Sequence, residues 1–304
     1  MRVLVTGGAG FIGGALARRL LGSGHEVVVA DRRPVDPALA ADLHGVVTGD
    51  LRQPEVADKA LTGGTEAVLH LAAATSVLRS VEDPDDVYRS NVGMTHLLLE
   101  RCRALGVTRM VLASTNAVVG EATGGGVIDE SAPLAPLTPY GATKAAGEML
   151  LSAYRHSYGM ATVALRLTNV YGPGVWVKDG LVARLFKAAR AGGGIRINGD
   201  GLQVRDYVYL DDVLDAFVTA MTVPSDAFPA RVIVGSGASF NVLQLHELVC
   251  RVTGVAIPAE HVPAPPGEMR AVVVDRSLAG RTGLADPVPL ADGLARTWSQ
   301  WPAP

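Results

Sequence analysis

The chain has 304 residues, of which 48% are hydrophobic and 19% are charged. This composition supports a large apolar core in one domain or in two interleaved domains. The formal net charge of −3 provides no basic field, so we exclude nucleic acid as a partner. No apolar run is long enough to cross a bilayer and no signal sequence precedes the first predicted strand, so we expect no membrane partner. Cys102 and Cys250 have neither metal-ligand spacing nor a disulfide pattern, which predicts a cytoplasmic protein without a metal site.

The first predicted element is a short buried strand at Val3–Val5, and a glycine-rich turn and a helix from Phe11 to Leu21 follow it. Two spacings fit this turn: G-x-G-x-x-G at Gly8, Gly10 and Gly13, and G-x-x-G-x-x-G at Gly7, Gly10 and Gly13. Backbone without Cβ lets a pyrophosphate approach, and the helix start offers it free N–H groups. The order of strand, glycine turn and helix predicts a dinucleotide site at Gly7, Gly10, Phe11, Ile12 and Gly13. A plain tight turn is the alternative.

The next two predicted strands each end in an acid. Asp31 lies about twenty residues past the glycines, where a carboxylate accepts the adenosine ribose hydroxyls and repels a 2′-phosphate. This position favours NAD over NADP, although Arg32 and Arg33 soften the preference; an exposed acid at a strand end is the alternative. Asp50, followed by Leu51, accepts the adenine amino group or caps the helix near Pro54.

Short apolar strands continue to alternate with longer helices. The predicted elements are a strand at Ala67–Ala74, a helix at Tyr88–Leu105, a strand at Arg109–Thr115, a helix at Tyr140–Tyr158 and a strand at Ala161–Thr168. This pattern predicts an α/β, Rossmann-type doubly wound parallel sheet, which binds ligands at the carboxyl ends of its strands. Leu71, Ala72 and Ala73 at one such end are predicted cofactor contacts.

The alternation of strands and helices ends after Asn169, where turns and glycines become frequent. We predict a smaller, loop-rich α/β lobe that binds the substrate. The predicted dinucleotide-binding domain comprises residues 1–170 and about 205–235, and the substrate lobe comprises residues 171–204 and about 236–304.

Tyr140 and Lys144 are spaced Y-x-x-x-K, so on a helix their side chains share one face. A free phenol is a poor base at neutral pH, but a nearby ammonium and an oxidised nicotinamide both favour the phenolate. The tyrosine then takes a hydroxyl proton while hydride leaves the same carbon. Thr115 offers a hydroxyl to the same substrate oxygen, and Ser114 competes for this role.

The chain resembles an extended short-chain dehydrogenase/reductase of the NAD-dependent epimerase/dehydratase family. The matching stretches run in family order: T-G-G-A-G-F-I-G, G-D-L, H-L-A-A, S-T-N-A-V-V-G, Y-G-A-T-K, L-R-L-T-N-V-Y-G-P-G and N-G-D-G-L-Q-V-R-D-Y-V-Y-L-D-D-V. The resemblance implies tightly held NAD, a nucleotide-diphosphate sugar as substrate, and the roles given above for Thr115, Tyr140 and Lys144. It also implies that Asn169 and Arg205 hold the substrate, in a site that includes Ser114, Thr115 and Asn116. A surface ion pair of Arg205 with Asp206 or Asp211 is the alternative.

The resemblance further implies a homodimer built on two long helices, here near Tyr88–Leu105 and Tyr140–Tyr158. Leu97, Leu98 and Leu105 offer apolar surface for such a contact, although burial within one chain explains them equally.

Three departures from the family pattern affect the substrate site. The family's V-Y-G reads Val118-Val119-Gly120, so an aromatic ring is missing. Asn116 and Ala117 stand where relatives that dehydrate carry Asp-Glu, so elimination lacks its acid and base. The family arginine near the C-terminus is replaced at Pro265, in a stretch that reads P-P-G-E. Arg270 is the candidate substitute, and the segment 265–274 is predicted to border the sugar and diphosphate.

Three functions compete. A nucleotide-sugar 4-epimerase leads, with Tyr140 removing the O4 proton and NAD exchanging hydride with C4. A nucleotide-sugar 4-ketoreductase uses the same residues but releases NAD(P). A non-catalytic dinucleotide sensor is the third, and the set of Thr115, Tyr140 and Lys144 argues against it.

Overall fold

The computed structural model describes residues 1–121, 126–264 and 269–302. Among these residues the strands are β1 (Arg2–Thr6), β2 (Glu26–Asp31), β3 (Gly45–Thr48), β4 (Ala67–His70), β5 (Arg109–Thr115), β6 (Ala161–Leu167), β7 (Asn169–Tyr171), β8 (Ile195–Asn198), β9 (Val204–Tyr209), β10 (Arg231–Val234), β11 (Ser239–Asn241) and β12 (Ala259–Val262). The α-helices are α1 (Phe11–Gly22), α2 (Pro37–Ala40), α3 (Pro54–Ala60), α4 (Val77–Glu82), α5 (Pro84–Tyr88), α6 (Met94–Leu105), α7 (Pro139–Tyr158), α8 (Leu181–Ala191), α9 (Leu210–Thr222), α10 (Val242–Thr253), α11 (Ser277–Arg281) and α12 (Leu290–Ser299).

Seven parallel strands form the central sheet in the order β10-β6-β5-β4-β1-β2-β3. Successive side chains of a strand point to opposite faces, and both faces of this sheet are buried. Val3 and Val5 of β1 pack in a cluster with α1 and α9, whereas Leu4 packs in a cluster with α3, α6 and α7. The predicted doubly wound sheet is therefore confirmed.

The strand order reverses between β1 and β4, because the chain builds the sheet outward from β1 in one direction and then returns to its other side. A crevice opens at such a reversal, beyond the carboxyl ends of the two strands. The glycine turn follows β1 and Leu71 follows β4, so both lie at this crevice.

The remaining strands form two small sheets. Strands β11, β9 and β7 make one sheet, and β12 pairs in parallel with β8. A third apolar cluster joins α8, α10 and α12 around these strands. Helix α9 instead packs on the seven-stranded sheet through Leu214 and Phe217. The division of the chain into two domains at residues 170, 205 and 235 stays a prediction. Nowhere in the described ranges does a helix have the length and apolarity to span a bilayer.

Strand β4 ends at His70 rather than at the predicted Ala74. The Thr6 side chain explains the difference, since its Oγ1 accepts hydrogen bonds from the backbone N–H groups of Leu71 (3.2 Å) and Ala72 (3.1 Å). Leu71 N–H also keeps a backbone bond to the Thr6 carbonyl at 3.2 Å, whereas Ala72 N–H bonds the Thr6 side chain, and the ladder stops at this point. Asn169 likewise lies beyond β6, in the separate strand β7.

The helix predicted at Tyr88–Leu105 is not a continuous α-helix. A π-helical turn at Arg89–Gly93 separates α5 from α6. Asn91 in this turn bonds both backbone groups of Ala74, with Nδ2 donating to the carbonyl at 3.1 Å and Oδ1 accepting from N–H at 2.8 Å. Of the two explanations for Leu98, contact with a second copy or burial within one chain, the structure supports burial, since the residue is fully buried.

Candidate functional site

The glycine turn leaves no room for a side chain at Gly7 or Gly13. Gly7 adopts φ +75°, and its carbonyl oxygen accepts from Gly10 N–H at 2.9 Å. A Cβ on Gly13 would lie 2.2 Å from that same carbonyl oxygen, and a Cβ on Gly7 would lie 2.7 Å from the nitrogen of Ala72. The residue that precedes α1 is Gly10, so no side chain caps the helix N-terminus. Its N–H groups face the crevice as an anion site.

Asp31 ends β2 beside this turn and is only 7% exposed. Its two carboxylate oxygens accept backbone N–H groups from Ala9 (3.0 Å) and Arg33 (2.9 Å). A carboxylate has about four acceptor positions, so it keeps lone pairs for further donors. The Arg33 guanidinium extends across the turn and donates to the carbonyl of Ala9 at 3.2 Å.

Asp50 is held by a neighbouring arginine. Its Oδ2 accepts from Arg52 Nε at 2.8 Å, and Arg52 Nη1 continues to Asp86 at 2.7 Å. The hydrogen bond from Arg52 lowers the pKa of the Asp50 carboxyl, although burial opposes the effect. Helix α3 begins after Gln53 without a side-chain cap, so the alternative that Asp50 caps this helix is wrong.

A cavity of about 350 Å³ joins the turn to these acids. The predicted cofactor residues in its lining are Gly7, Gly10, Asp31, Arg32, Asp50, Leu51, Leu71, Ala72 and Ala73.

A second cavity of about 570 Å³ continues from the first and shares Gly7, Gly10 and Leu71 with it. The further predicted residues in its lining are Phe11, Ile12, Gly13, Ser114, Thr115, Tyr140, Lys144, Asn169 and Arg205. The two cavities together form one cleft that runs from the acids of β2 and β3 to the small sheets.

Helix α7 carries Tyr140 and Lys144 into this cleft. Thr138 caps the helix through a hydrogen bond from Gly141 N–H to its Oγ1 (3.2 Å), which fixes Tyr140 in the first turn. Lys144 is 5% exposed, and its Nζ donates to the carbonyl of Ala113 on β5 at 2.8 Å. The two side chains thus lie one turn apart, against the end of β5.

Burial shifts both groups toward their neutral forms. It raises the pKa of Tyr140 to about 12, while a hydrogen bond with Thr115 acts in the opposite direction. It lowers the pKa of Lys144 to about 8, while the charge of Glu148 acts against this shift. At pH 7 the phenol is therefore protonated and most of the lysine is charged.

Ser114 and Asn116 flank Thr115 in the chain but differ from it in their surroundings. The Ser114 hydroxyl donates to Glu148 Oε1 at 2.5 Å, although the residue contributes to the cavity lining. Asn116 begins a short 3₁₀ turn, is 6% exposed and lies outside both cavity linings. Its amide atoms have no hydrogen-bond partner within the described part of the chain. Their roles in substrate binding stay predictions.

Asn169 and Arg205 lie on β7 and β9, which are neighbouring strands of the small three-stranded sheet. Asn169 Nδ2 donates to the carbonyl of Asp206 at 2.8 Å. Within the described ranges no carboxylate pairs with Arg205, because Asp206 accepts from Ser236 and Asp211 pairs with Arg19. The alternative of a surface ion pair for Arg205 is therefore wrong.

Arg270 lies outside the lining of both cavities. Its side chain is 70% exposed and pairs with Asp200 at 3.3 Å. Residues 265–268 lie outside the described residues, so the predicted border of the substrate site there is not addressed. Within the described ranges no cluster of His, Cys, Asp or Glu side chains is arranged to hold a metal ion.

The sequence patterns missed Lys178, which lines both cavities. Burial and the nearby Arg33 lower the pKa of its ammonium. A lone lysine in a loop-rich segment has no spacing that distinguishes it from a surface residue.

The patterns also missed a buried polar chain that supports the crevice. Thr6 Oγ1 bonds His70 Nδ1 at 2.7 Å, and His70 Nε2 bonds Thr95 Oγ1 at 3.1 Å. Since Thr6 Oγ1 already accepts two backbone N–H groups, it donates to Nδ1, and the histidine proton lies on Nε2. Burial lowers the pKa of His70 to about 3, so this histidine is neutral. The amino-acid sequence of β4 alone does not indicate this chain of hydrogen bonds.

The glycine turn, the acid that ends β2 and the Tyr140–Lys144 face of α7 define a dinucleotide-binding α/β protein with a second cavity for a polar ligand. The model of the NAD dependent epimerase/dehydratase family matches residues 3–235. The chain belongs to this family.

Similar proteins extend the match to nearly the full length. A UDP-glucose 4-epimerase of Mycolicibacterium smegmatis is 36% identical and is aligned over 98% of this chain and 97% of its own. The structure of a Thermotoga maritima UDP-glucose 4-epimerase with UDP-glucose has a TM-score of 0.92 at 31% identity, over 99% of this chain and 98% of its own. A Thermus thermophilus UDP-glucose 4-epimerase in complex with NAD has a TM-score of 0.89 at 34% identity, with the same coverage.

Proposed function

We propose that this protein is an NAD-dependent nucleotide-sugar 4-epimerase, an isomerase of the extended short-chain dehydrogenase/reductase type. The observation that carries the proposal is the single cleft in which Thr115, Tyr140 and Lys144 lie beside the glycine turn. The similarity to UDP-glucose 4-epimerases over nearly the full chain supports it.

The cleft fits NAD on three observations. Cβ atoms at Gly7 and Gly13 would collide with backbone, so the turn keeps a cradle open above the helix N-terminus. Asp31 retains acceptor positions for ribose hydroxyls. Leu71, Ala72 and Ala73 line the space between them. NAD, when bound, supplies a reversible hydride acceptor and a positive charge on its oxidised ring.

Tyr140 is the proposed base for the hydroxyl at C4 of the sugar. Burial keeps its phenol protonated, so the proton transfer requires added positive charge nearby. Lys144 supplies part of that charge, and Thr115 donates a hydrogen bond to the same substrate oxygen. The phenol later returns the proton after the sugar has turned over. Asn116 and Ala117 provide neither the acid nor the base that an elimination needs.

Product analysis tests the proposal. The purified protein, given UDP-glucose and no added cofactor, is expected to form UDP-galactose until both sugars reach equilibrium. A requirement for stoichiometric NAD(P)H, with net reduction of a 4-keto sugar, would instead establish the ketoreductase.

Asp31 is proposed to set the cofactor preference. We expect Asp31→Asn to weaken NAD binding by about tenfold or more, because hydrogen bonds to charged groups contribute about 1.5–3 kcal/mol. NADP binding falls less or improves, because the repulsion of a 2′-phosphate is removed. Titration of both cofactors by calorimetry measures the ratio, and tighter NADP binding by the unmodified protein would contradict the assignment.

Arg205 is proposed as the main contact of the substrate diphosphate, since it lines the cavity and no carboxylate among the described residues pairs with its guanidinium. We expect Arg205→Ala to raise KM by about tenfold or more. Arg270→Ala is the matched comparison, and its smaller effect follows from exposure and from the pair with Asp200. A larger rise in KM for Arg270→Ala would assign the diphosphate to Arg270 instead.

We also propose a homodimer in the cytoplasm. Leu105 on α6 and Met149 on α7 expose 49% and 64% of their surface on neighbouring helices. Leu97 on α6 is half-buried and packs against the core. For the cytoplasm, the supporting observation is that Cys102 and Cys250 are free thiols. Light scattering at micromolar concentration is expected to give twice the chain mass, and Met149→Lys is expected to lower it; a monomer mass for the unmodified protein would exclude the dimer.

A further inference from the structure

A buried ion pair lies beneath the Tyr140–Lys144 face of α7. Glu148, on the next turn of this helix, is 5% exposed at its side chain, and Arg166 on β6 is fully buried. Arg166 Nη2 donates to Oε2 at 2.8 Å, and its Nε donates to Oε1 at 3.0 Å. The Ser114 hydroxyl on β5 donates to the same Oε1 at 2.5 Å. Two neighbouring strands therefore fix one carboxylate.

Stability alone does not account for this pair. Removing two charges from water costs several kcal/mol per ion, and apolar residues of similar volume often serve a core equally well. Arg166 Nη1 moreover finds no hydrogen-bond partner among the described residues. An incompletely satisfied buried charge next to a cleft points to a role in the electrostatics of that cleft.

Among the charged and polar groups near Lys144, Glu148 is distinguished by its negative charge. Tyr140 and Glu148 lie one turn before and one turn after it on α7. Strand β4 contributes the neutral His70, β5 contributes the carbonyl of Ala113, and β6 contributes the positive Arg166. Glu148 is the negative charge in this group, and residues four apart on a helix share one face.

We propose that Glu148 is a positioning residue that acts through Lys144: its carboxylate, fixed by Arg166 and Ser114, keeps the Lys144 side chain charged in the cleft. The consequence for catalysis rests on the proposed function, because there the charged lysine favours the Tyr140 phenolate. The charge of Lys144 itself is measurable without any turnover.

The chain is well suited to that measurement because it has four lysines, Lys59, Lys144, Lys178 and Lys187. In protein labelled with ¹³C-lysine, the Cε signal of each lysine reports the protonation of its Nζ. Lys144→Met identifies the Lys144 signal by its loss. A titration between pH 6 and pH 11 then gives the pKa of Lys144 in the full-length protein.

Glu148→Gln keeps the size and the hydrogen bonds to one oxygen but removes the charge. We expect the pKa of Lys144 to fall by about one unit, because the charge of Glu148 favours the ammonium form and its removal leaves the effect of burial unopposed. Glu100→Gln is the control, since Glu100 bonds Tyr154 near the far end of the same helix and does not act on Lys144. An unchanged Lys144 pKa in Glu148→Gln would overturn the proposal.

Glu148→Gln leaves the Arg166 charge buried without a partner and risks unfolding the chain. Glu148→Gln/Arg166→Met removes both charges and keeps the volume. We expect the Lys144 pKa to stay below that of the unmodified protein, because the carboxylate on the same helix face is gone. A return to the unmodified value would assign the effect to the stranded arginine and overturn the proposal.

Activity gives an independent readout. The alkaline limb of the kcat profile for UDP-glucose epimerisation is expected to move to lower pH in Glu148→Gln, by the same shift as the Lys144 pKa. A merely structural glutamate would lower kcat equally at all pH values, and that result counts against the proposal. If the unmodified protein formed no UDP-galactose, the proposed function would fail while the lysine titration would still decide the role of Glu148.

Discussion

Replacing Tyr140 with phenylalanine is expected to reduce the turnover of UDP-glucose by at least about 10²–10⁴-fold, which is the usual contribution of a positioned general base. The change keeps the ring in its packing and removes only the oxygen that exchanges the proton of the C4 hydroxyl. Thr115→Val should lower turnover less, because it removes a hydrogen bond and leaves the base in place. Initial rates at saturating substrate, with bound NAD quantified, measure both losses.

Tyr158→Phe is the matched control for this prediction. Tyr158 ends the same helix, is 54% exposed and lies outside the cleft lining, so its turnover should equal that of the unmodified protein. Thermal unfolding should be nearly unchanged in all three variants, since none removes much buried apolar area. Turnover by Tyr140→Phe close to that of the unmodified protein would refute the assignment of the base.

Gly13→Ala is expected to have the largest effect on cofactor binding. The added Cβ would lie 2.2 Å from the carbonyl oxygen of Gly7, so the turn must move away from the helix. That carbonyl also accepts from Gly10 N–H, and the movement therefore opens the cradle. With overpacking costs of about 1–3 kcal/mol, we expect the Kd for NAD to rise by about tenfold to a hundredfold.

Gly22→Ala provides the comparison within the same helix. A Cβ at Gly22 meets no atom within 4 Å, so the alanine fits without movement. We expect unchanged NAD binding and a gain in stability of about 0.4–1 kcal/mol, because the unfolded chain loses conformational freedom. Calorimetric titration and chemical unfolding separate the two variants. Equal NAD affinities for Gly13→Ala and the unmodified protein would show that the cradle tolerates a side chain.

The sequence predicted the fold well where periodicity and backbone chemistry agree. Strand β5 has the predicted bounds Arg109–Thr115, and the glycine turn lies where its spacing places it. Both signals are local, since a buried parallel strand is a continuous apolar run and a turn without Cβ needs glycine.

The errors arise from side chains that bond backbone across the fold. The Thr6 side chain takes the Ala72 N–H group, which would have extended β4, and Asn91 bonds Ala74 from the π-helical turn that interrupts a predicted helix. Neither residue differs in local pattern from an ordinary strand-end threonine or helix-surface asparagine. Ser114 illustrates the same limit at the site, because its partner Glu148 lies 34 positions away on another element.

Strand β10 lies in the seven-stranded sheet and helix α9 packs on it, although residues of the smaller sheets precede both elements in the chain. This order has a consequence for protein synthesis. Leu214 and Phe217 of α9 cover apolar residues such as Val163 and Leu165, which the ribosome releases much earlier. A nascent chain that ends before Leu210 exposes this face and lacks the last strand. It is therefore the stage of biogenesis most open to aggregation, and the one at which chaperone binding is most useful.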